Sequence, residues 1–130
     1  MDMRELQRRA RQWAIKVFGA PFLMLRERAL RVLEESAEVS QSLGVTEEEA
    51  VQVIRLAYKR PSGEPKAEIG DLVFCLAILA EEMNLVLSEE AWATLYKNDD
   101  PDRIVRIRAK CATSEKIRGS EELAKLCRGF

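Results

Sequence analysis

Apolar side chains recur at steps of three and four through the first part of the chain, which is the spacing of one helix face. A first helix is predicted over about residues 2–17, where Gly19 and Pro21 stop it. A second is predicted over about residues 22–42, with Gly44 just beyond its end. Its expected core stripe is Leu23, Leu30, Leu33, Ala37 and Leu43.

A capping box marks the start of a third helix. Thr46 is followed by Glu49, and in this motif each side chain satisfies the backbone N–H of the other residue. The segment RPSGEP, residues 60–65, contains two prolines and a glycine, so it is predicted to be a loop. The most apolar helix is predicted over about residues 66–83, and Asn84 is expected to cap it in the left-handed conformation.

Shorter helices are predicted for the last third of the chain. Ser88 is expected to cap a fifth helix that ends near Lys97. The turn-forming segment NDDP, residues 98–101, leads into a sixth helix over about residues 102–112, which the proline starts. Residues 113–130 are expected to form a mobile tail with one short helix over residues 120–127.

The order of these patterns predicts the fold class. No segment of strand length alternates apolar and polar residues, and the helical patterns follow one another across short loops. We therefore expect an all-α fold, a bundle of about five to six helices. A length of 130 residues suits one domain, so residues 1–130 are expected to form a single unit.

Composition restricts the chemistry. The net charge is -1, from 21 basic and 22 acidic side chains, so nothing general attracts the chain to nucleic acid or to an anionic membrane. The sequence contains no histidine, which excludes Ser-His-Asp triads, Cys-His dyads and histidine-ligated zinc. Any catalytic chemistry must therefore use carboxylates, lysines or arginines.

Two features predict a cytoplasmic protein with no membrane partner. The longest apolar run, residues 69–80, is interrupted by Asp71 and is shorter than the ~20 apolar residues that span a bilayer. The first residues lack the apolar block and cleavage site of a signal peptide. Cys75, Cys111 and Cys127 are odd in number and widely spaced, so we expect reduced thiols and no zinc site.

Three glutamates of the second predicted helix share one face. Because a helix advances by ~100° per residue, Glu34, Glu35 and Glu38 fall within an arc of roughly 100°. Such clusters are usually solvated, and Arg31 lies one turn earlier, where it could relieve their mutual repulsion. Taken alone, this cluster favours a solvated surface.

Asp71 is harder to explain. It interrupts IGDLVFCLAILA, a run whose apolar residues cover nearly the whole helix circumference, so this helix and Asp71 are expected to be buried. Glu68 and Asp71 lie in the first turns, where the helix dipole favours each negative charge by about 0.3–1 kcal/mol. The dipole accounts for Glu68 better than for Asp71.

The two carboxylate pairs together predict a cation. Glu35 with Glu38, and Glu68 with Asp71, stand three residues apart on two long helices, and adjacent helices would direct both pairs into one gap. Four carboxylates there would repel one another strongly unless a cation lay between them. Oxygen ligands suit Mg²⁺ or Mn²⁺. Because Mg²⁺ favours phosphate oxygens as further ligands, the expected substrate is a polyphosphate.

The sequence EESAE, residues 34–38, followed by EIGD, residues 68–71, resembles the EExxE…ExxD signature of the MazG-like all-α nucleoside triphosphate pyrophosphohydrolases, which are related to the dimeric dUTPases. The resemblance covers about residues 26–110, with a metal-binding core over about residues 22–97. The gap between the halves is a little longer than the commonest family spacing, which we attribute to RPSGEP. The resemblance implies Mg²⁺-dependent hydrolysis of a nucleoside triphosphate to the monophosphate and pyrophosphate by a homodimer or homotetramer. It also implies four metal ligands: Glu35, Glu38, Glu68 and Asp71.

Further residue roles follow from the same resemblance. Glu34 is the motif glutamate least needed as a ligand, so it is expected to orient the attacking water, with Glu35 and Glu38 as alternative bases. The pair Lys97 and Asn98 is similar to a Lys-Asn element of the family. Lys97 and Lys110 are then expected to bind phosphate, and Asn98 to contact sugar or base. A solvated surface or a turn is an equal alternative for these three residues.

Two rival functions remain open. One is a catalytically silent module for helical oligomerisation or nucleotide binding that retains the acidic residues without turnover. The other is a nucleic-acid-binding protein that uses the basic segments RELQRRARQW and RIVRIRAK. Interspersed acidic residues and the net charge of -1 argue against the second.

Overall fold

The structure is all-helical over the residues that it describes. It is a computed structural model that describes the backbone of residues 2–118 and the side chains of residues 2–112. A short 3₁₀ turn, Ala20–Leu23, follows the first helix. The α-helices are α1 Met3–Phe18, α2 Leu25–Ser42, α3 Glu47–Tyr58, α4 Pro65–Glu82, α5 Leu87–Asn98 and α6 Pro101–Arg118. No strand occurs within residues 2–118, so the all-α prediction is confirmed. None of these helices combines the length and apolar composition needed to cross a bilayer.

Local chemistry sets several of the helix ends as expected. The Thr46 hydroxyl oxygen accepts from the Glu49 N–H at 3.2 Å, and the Glu49 carboxylate accepts from the Thr46 N–H at 2.9 Å. Pro65 occupies the first turn of α4, where its missing N–H costs nothing. Asn84 has φ 54, the left-handed conformation of a helix-ending residue. The capping box, the loop before α4 and the Asn84 cap are all confirmed.

Other helix ends differ from the prediction. α2 begins at Leu25, because Met24 is extended (φ -59, ψ 126) after the 3₁₀ turn that contains Pro21. α5 begins at Leu87, so Ser88 lies inside the helix and not at its cap. α6 extends to Arg118, since no helix-breaking residue occurs between its predicted end and Gly119. The short helix predicted over residues 120–127 lies outside the described residues.

The described chain divides into two compact units. The terminal unit comprises residues 2–20 and 88–118, and it contains α1, α6 and nearly all of α5. Here α1 packs against α6, and the Arg108 Nε donates to the Val17 carbonyl at 3.0 Å. The buried side chains of this unit are Leu6, Ala14, Val17, Trp92 and Ile104. These side chains form a small apolar core among the described residues of the unit.

The central unit, Pro21–Leu87, contains α2, α3 and α4. α2 packs against α3, whereas no described residue of α4 comes into close backbone contact with either helix. Ala80 is the one buried apolar residue among the described residues of this unit. The predicted core stripe of α2 is therefore wrong for the single chain, because Leu33, Ala37 and Leu43 are exposed and Leu23 and Leu30 are only half-buried. The prediction of one domain stays a prediction.

Replacement of Thr46 tests the capping box at the start of α3. We expect Thr46→Ala to lower the free energy of unfolding by about 1 kcal/mol, because the Glu49 N–H loses its acceptor. The control Thr46→Ser keeps a hydroxyl oxygen at the same position and should unfold close to wild type. Urea denaturation followed by circular dichroism measures both variants. Equal stability of Thr46→Ala and wild type would contradict the assigned cap.

Candidate metal-binding carboxylates

One face of α2 carries the acidic cluster, and an arginine neutralises part of it. Arg31 Nη1 lies 2.8 Å from Oε2 of Glu34, and Arg31 Nη2 donates to Oε1 of Glu35. The spacing of three and four residues brings one guanidinium against both carboxylates, as helix geometry requires. The sequence-based expectation that Arg31 relieves the repulsion in this cluster is confirmed.

The Arg31 ion pairs limit how a metal could bind to α2. The side chains of Arg31 and Glu34 are 28% and 32% exposed, so water screens this pair only in part. Arg31 uses Oε1 of Glu35, and a carboxylate has room for a second partner on its other oxygen. A cation can therefore share Glu35 with Arg31. Glu38 lies one turn further along the same face.

Glu68 lies at the start of α4, against the loop that precedes the helix. A methyl group built on Gly63 would overlap Oε1 of Glu68 and lie 3.0 Å from its Cδ. The carboxylate therefore occupies the space that a side chain at residue 63 would take. Sequence reasoning treated Gly63 only as a loop residue and missed this contact, because a separation of five residues across a helix start has no periodic signal.

Asp71 is exposed, and the prediction that it is buried is wrong for the single chain. All of residues 65–75 are exposed, including apolar side chains such as Ile69 at 63% and Phe74 at 67%. The apolar sequence of α4 led to the prediction, but no other helix of the described chain covers this part of α4. Water can solvate Asp71 in the single chain, so this carboxylate does not require a cation there.

The single chain does not bring the two carboxylate pairs together. Glu35 and Glu38 lie on α2, Glu68 and Asp71 lie on α4, and these two helices make no close contact within the described residues. No group of three or more histidine, cysteine, aspartate or glutamate residues in that part of the chain is placed to hold a metal ion. The assignment of the four residues as metal ligands stays a prediction.

The expected substrate-binding residues belong to the terminal unit. Lys97 and Lys110 are exposed on α5 and α6. Asn98 ends α5, its Oδ1 accepts from Arg103 Nε at 2.9 Å, and its backbone oxygen accepts from Trp13 Nε1 at 3.0 Å. Asn98 thus lies at the helix end and links it to Arg103 and Trp13. The binding roles of Lys97, Asn98 and Lys110 stay predictions.

Comparison with known proteins adds no relative to this picture. The chain matches no protein-family model, no curated protein and no solved structure. The likeness to MazG-like enzymes therefore depends on the residues of the two motifs, EESAE and EIGD, and on the helices that carry them.

Removal of the Arg31 charge tests its role in the acidic cluster. We expect Arg31→Gln to lower the free energy of unfolding by about 0.5–1 kcal/mol at low ionic strength, because Glu34 and Glu35 lose their shared partner. High ionic strength should shrink the loss, since salt screens the remaining repulsion. Urea denaturation at the two ionic strengths measures the effect.

The matched control is Arg60→Gln. Arg60 is an exposed arginine of the central unit for which the described residues provide no ion pair. Its replacement removes the same charge and should leave the unfolding free energy near the wild-type value. A loss of equal size in both variants would show that net charge, and not the Arg31 ion pairs, is responsible.

Proposed function

We propose that the protein hydrolyses a nucleoside triphosphate to the nucleoside monophosphate and pyrophosphate. In this proposal Mg²⁺, or Mn²⁺, binds to Glu35, Glu38, Glu68 and Asp71. The observation that supports it best is the arrangement of two carboxylate pairs. Each pair has a three-residue spacing on an α-helix, so both side chains of a pair project from one face. The pairs also follow the order of the EExxE…ExxD motif.

The carboxylates have distinct roles in this reaction. Bound metal would neutralise the triphosphate and the charge that develops on it, which is what oxygen-ligated Mg²⁺ supplies in phosphate chemistry. Glu34 orients the attacking water, because Arg31 holds one oxygen of this carboxylate and leaves the other to accept a hydrogen bond. The water oxygen bonds to a phosphorus while Glu34 accepts the water proton, the α–β anhydride bond breaks and pyrophosphate leaves. Glu35 and Glu38 remain alternative bases.

The proposed enzyme is a homodimer or homotetramer. Large apolar side chains are exposed along α2, α3 and α4, and such surfaces are typical of subunit interfaces. A nucleoside triphosphate substrate also fits the expected cytoplasmic location. Phosphate binding by Lys97 and Lys110 and nucleoside binding by Asn98 belong to the same proposal. Nucleic acid is not an expected partner, because the net charge of -1 provides no general attraction.

The alternative function is a catalytically silent module for oligomerisation or nucleotide binding. The Arg31 ion pairs favour this alternative, since they stabilise the α2 carboxylates without a metal. A panel of ribo- and deoxynucleoside triphosphates distinguishes the two functions. Release of pyrophosphate from at least one nucleotide with Mg²⁺ supports the enzyme. Nucleotide binding without any release, with Mg²⁺ or Mn²⁺, supports the silent module.

Two isosteric replacements test the metal ligands. Glu38→Gln and Asp71→Asn each remove one negative charge and should lower kcat/KM by about 100-fold or more, because a metal ligand is lost while the shape is kept. The matched control Glu48→Gln changes an exposed glutamate of α3 outside both motifs and should keep wild-type activity. Circular dichroism verifies that each variant is helical. Full activity in a folded Glu38→Gln or Asp71→Asn variant would show that the metal site is wrong.

Replacement of Gly63 tests the metal site without changing any of the carboxylates. We expect Gly63→Ala to displace the Glu68 carboxylate and to weaken Mn²⁺ binding by about 10-fold, the usual cost of disturbing a residue that supports a metal ligand. The control is Ser62→Ala, which changes an exposed side chain of the same loop and should leave Mn²⁺ affinity near the wild-type value. Calorimetric titration with Mn²⁺ measures both affinities. Equal affinities in Gly63→Ala and wild type would exclude a supporting role for Gly63.

A further inference from the structure

Within the described residues, no other helix covers α4. Apolar residues surround nearly the whole helix, yet Ile69, Val73, Phe74 and Ile78 are exposed along it. α2 packs against α3, and the described residues of α4 contact neither of them closely. A helix that is apolar all round is normally buried. Another surface must therefore cover α4 when the protein is assembled.

The apolar surface that matches α4 belongs to the central unit itself. Among the described residues, the terminal unit exposes only three large apolar side chains, Met3, Tyr96 and Val105, and it has a core of its own. α2 and α3 expose apolar side chains along their length, including Val32, Leu33, Val39, Val53, Ile54 and Leu56. A second copy of the chain presents this same α2 and α3 surface.

The exposed area is large enough for a stable dimer. At roughly 150 Å² for a fully exposed large apolar side chain, the apolar side chains of α2, α3 and α4 expose about 1,000 Å², summed over all faces of these helices. A stable interface needs about 800 Å² from each partner. Obligate dimers bury apolar surfaces that resemble a domain core divided between two chains, which is the character of this surface.

The connection between α3 and α4 favours exchange between copies. It contains Pro61 and leads into Pro65, and both rings restrict the backbone. Glu64 is extended, with φ -82 and ψ 128, as expected of a residue before proline. The connection continues the last turn of α3 through Lys59 and Arg60 and becomes extended at Glu64, and α4 makes no close backbone contact with α2 or α3 of its own chain. If two copies exchange this identical helix, each copy covers the apolar surface of the other copy's α4.

We propose that α4 is exchanged between two copies of this chain, and that each metal site is divided between them. In each site, Glu35 and Glu38 come from one copy, and the other two ligands are Glu68 of the partner subunit and Asp71 of the partner subunit. The metal part rests on the proposed function, whereas the exchange of α4 follows from its exposed apolar surface. In this arrangement Asp71 becomes buried against another helix, next to the cation that its burial requires.

Mixed dimers test the divided site. One copy carries Glu38→Gln and the other carries Asp71→Asn, the two copies have different affinity tags, and purification on both tags isolates mixed dimers from cells that express both. If α4 is exchanged, one of the two sites regains all four carboxylates and pyrophosphate release returns to about half of the wild-type rate. If each site forms within one chain, both sites lack a ligand and the mixed dimer stays as inactive as either variant alone. The second result would overturn the proposal.

A second mixed dimer tests whether pyrophosphate release can return without the exchange of α4. One copy carries Glu35→Gln and the other carries Glu38→Gln. Both changes lie on α2, so every site lacks one ligand whichever chain supplies α4. This mixed dimer should remain inactive. Equal recovery in the two mixtures would show that restored activity reflects general stabilisation and would overturn the divided site. A wild-type chain that is monomeric by light scattering would overturn the exchange.

Mn²⁺ binding separates this proposal from the proposed function. If wild-type protein binds Mn²⁺ but releases no pyrophosphate, the hydrolase proposal fails, and recovery of Mn²⁺ binding by the first mixed dimer still supports the divided site. Absence of that recovery overturns it. If wild-type protein neither binds Mn²⁺ nor releases pyrophosphate, the carboxylates form no metal site and the divided site fails together with the proposed function.

Discussion

The burial of the apolar surface of α4 is the interaction on which the central unit depends. Helices in proteins gain most of their stability from the packing of an apolar face and not from propensity alone. Each large apolar side chain that becomes covered contributes about 1.5–3 kcal/mol. Ile69 and Phe74 are exposed in the single chain, so it does not gain the stabilisation that their burial would provide. The terminal unit differs, because Trp92 and Ile104 already lie in a core.

The electrostatics of α2 depend on the same packing. In the single chain Arg31 balances Glu34 and Glu35, and two helical ion pairs of this kind contribute only about 0.3–0.5 kcal/mol each. Packing of a second acidic helix against this face would add two negative charges that Arg31 alone does not offset. In the proposed metal site, a divalent cation would supply the missing positive charge. Covering α4 and binding a cation would then be coupled, because the carboxylates of α4 are not close to α2 in the single chain.

The sequence predicts the helices well because their ends are decided by local chemistry. Thr46 and Glu49 form the expected capping box, and Asn84 adopts the expected left-handed conformation. The predictions for Leu33 and Asp71 fail for a different reason. Periodicity shows that a helix face is apolar, but it does not show which chain supplies the surface that covers it. The contact between Gly63 and Glu68 escapes prediction because it depends on the path of a loop.

The longer gap between the two motifs now has a structural interpretation. Six residues separate the end of α3 at Tyr58 from the start of α4 at Pro65, and the first two still hydrogen-bond to the last turn of α3, so the other four span at most about 14 Å. Packed helices lie about 8–10 Å apart, so this connection reaches between one and two helix spacings. In the proposed dimer, a loop of that reach, restricted by Pro61, would let α4 pack on α2 and α3 of the second copy. The longer spacing between the two motifs would then serve the exchange.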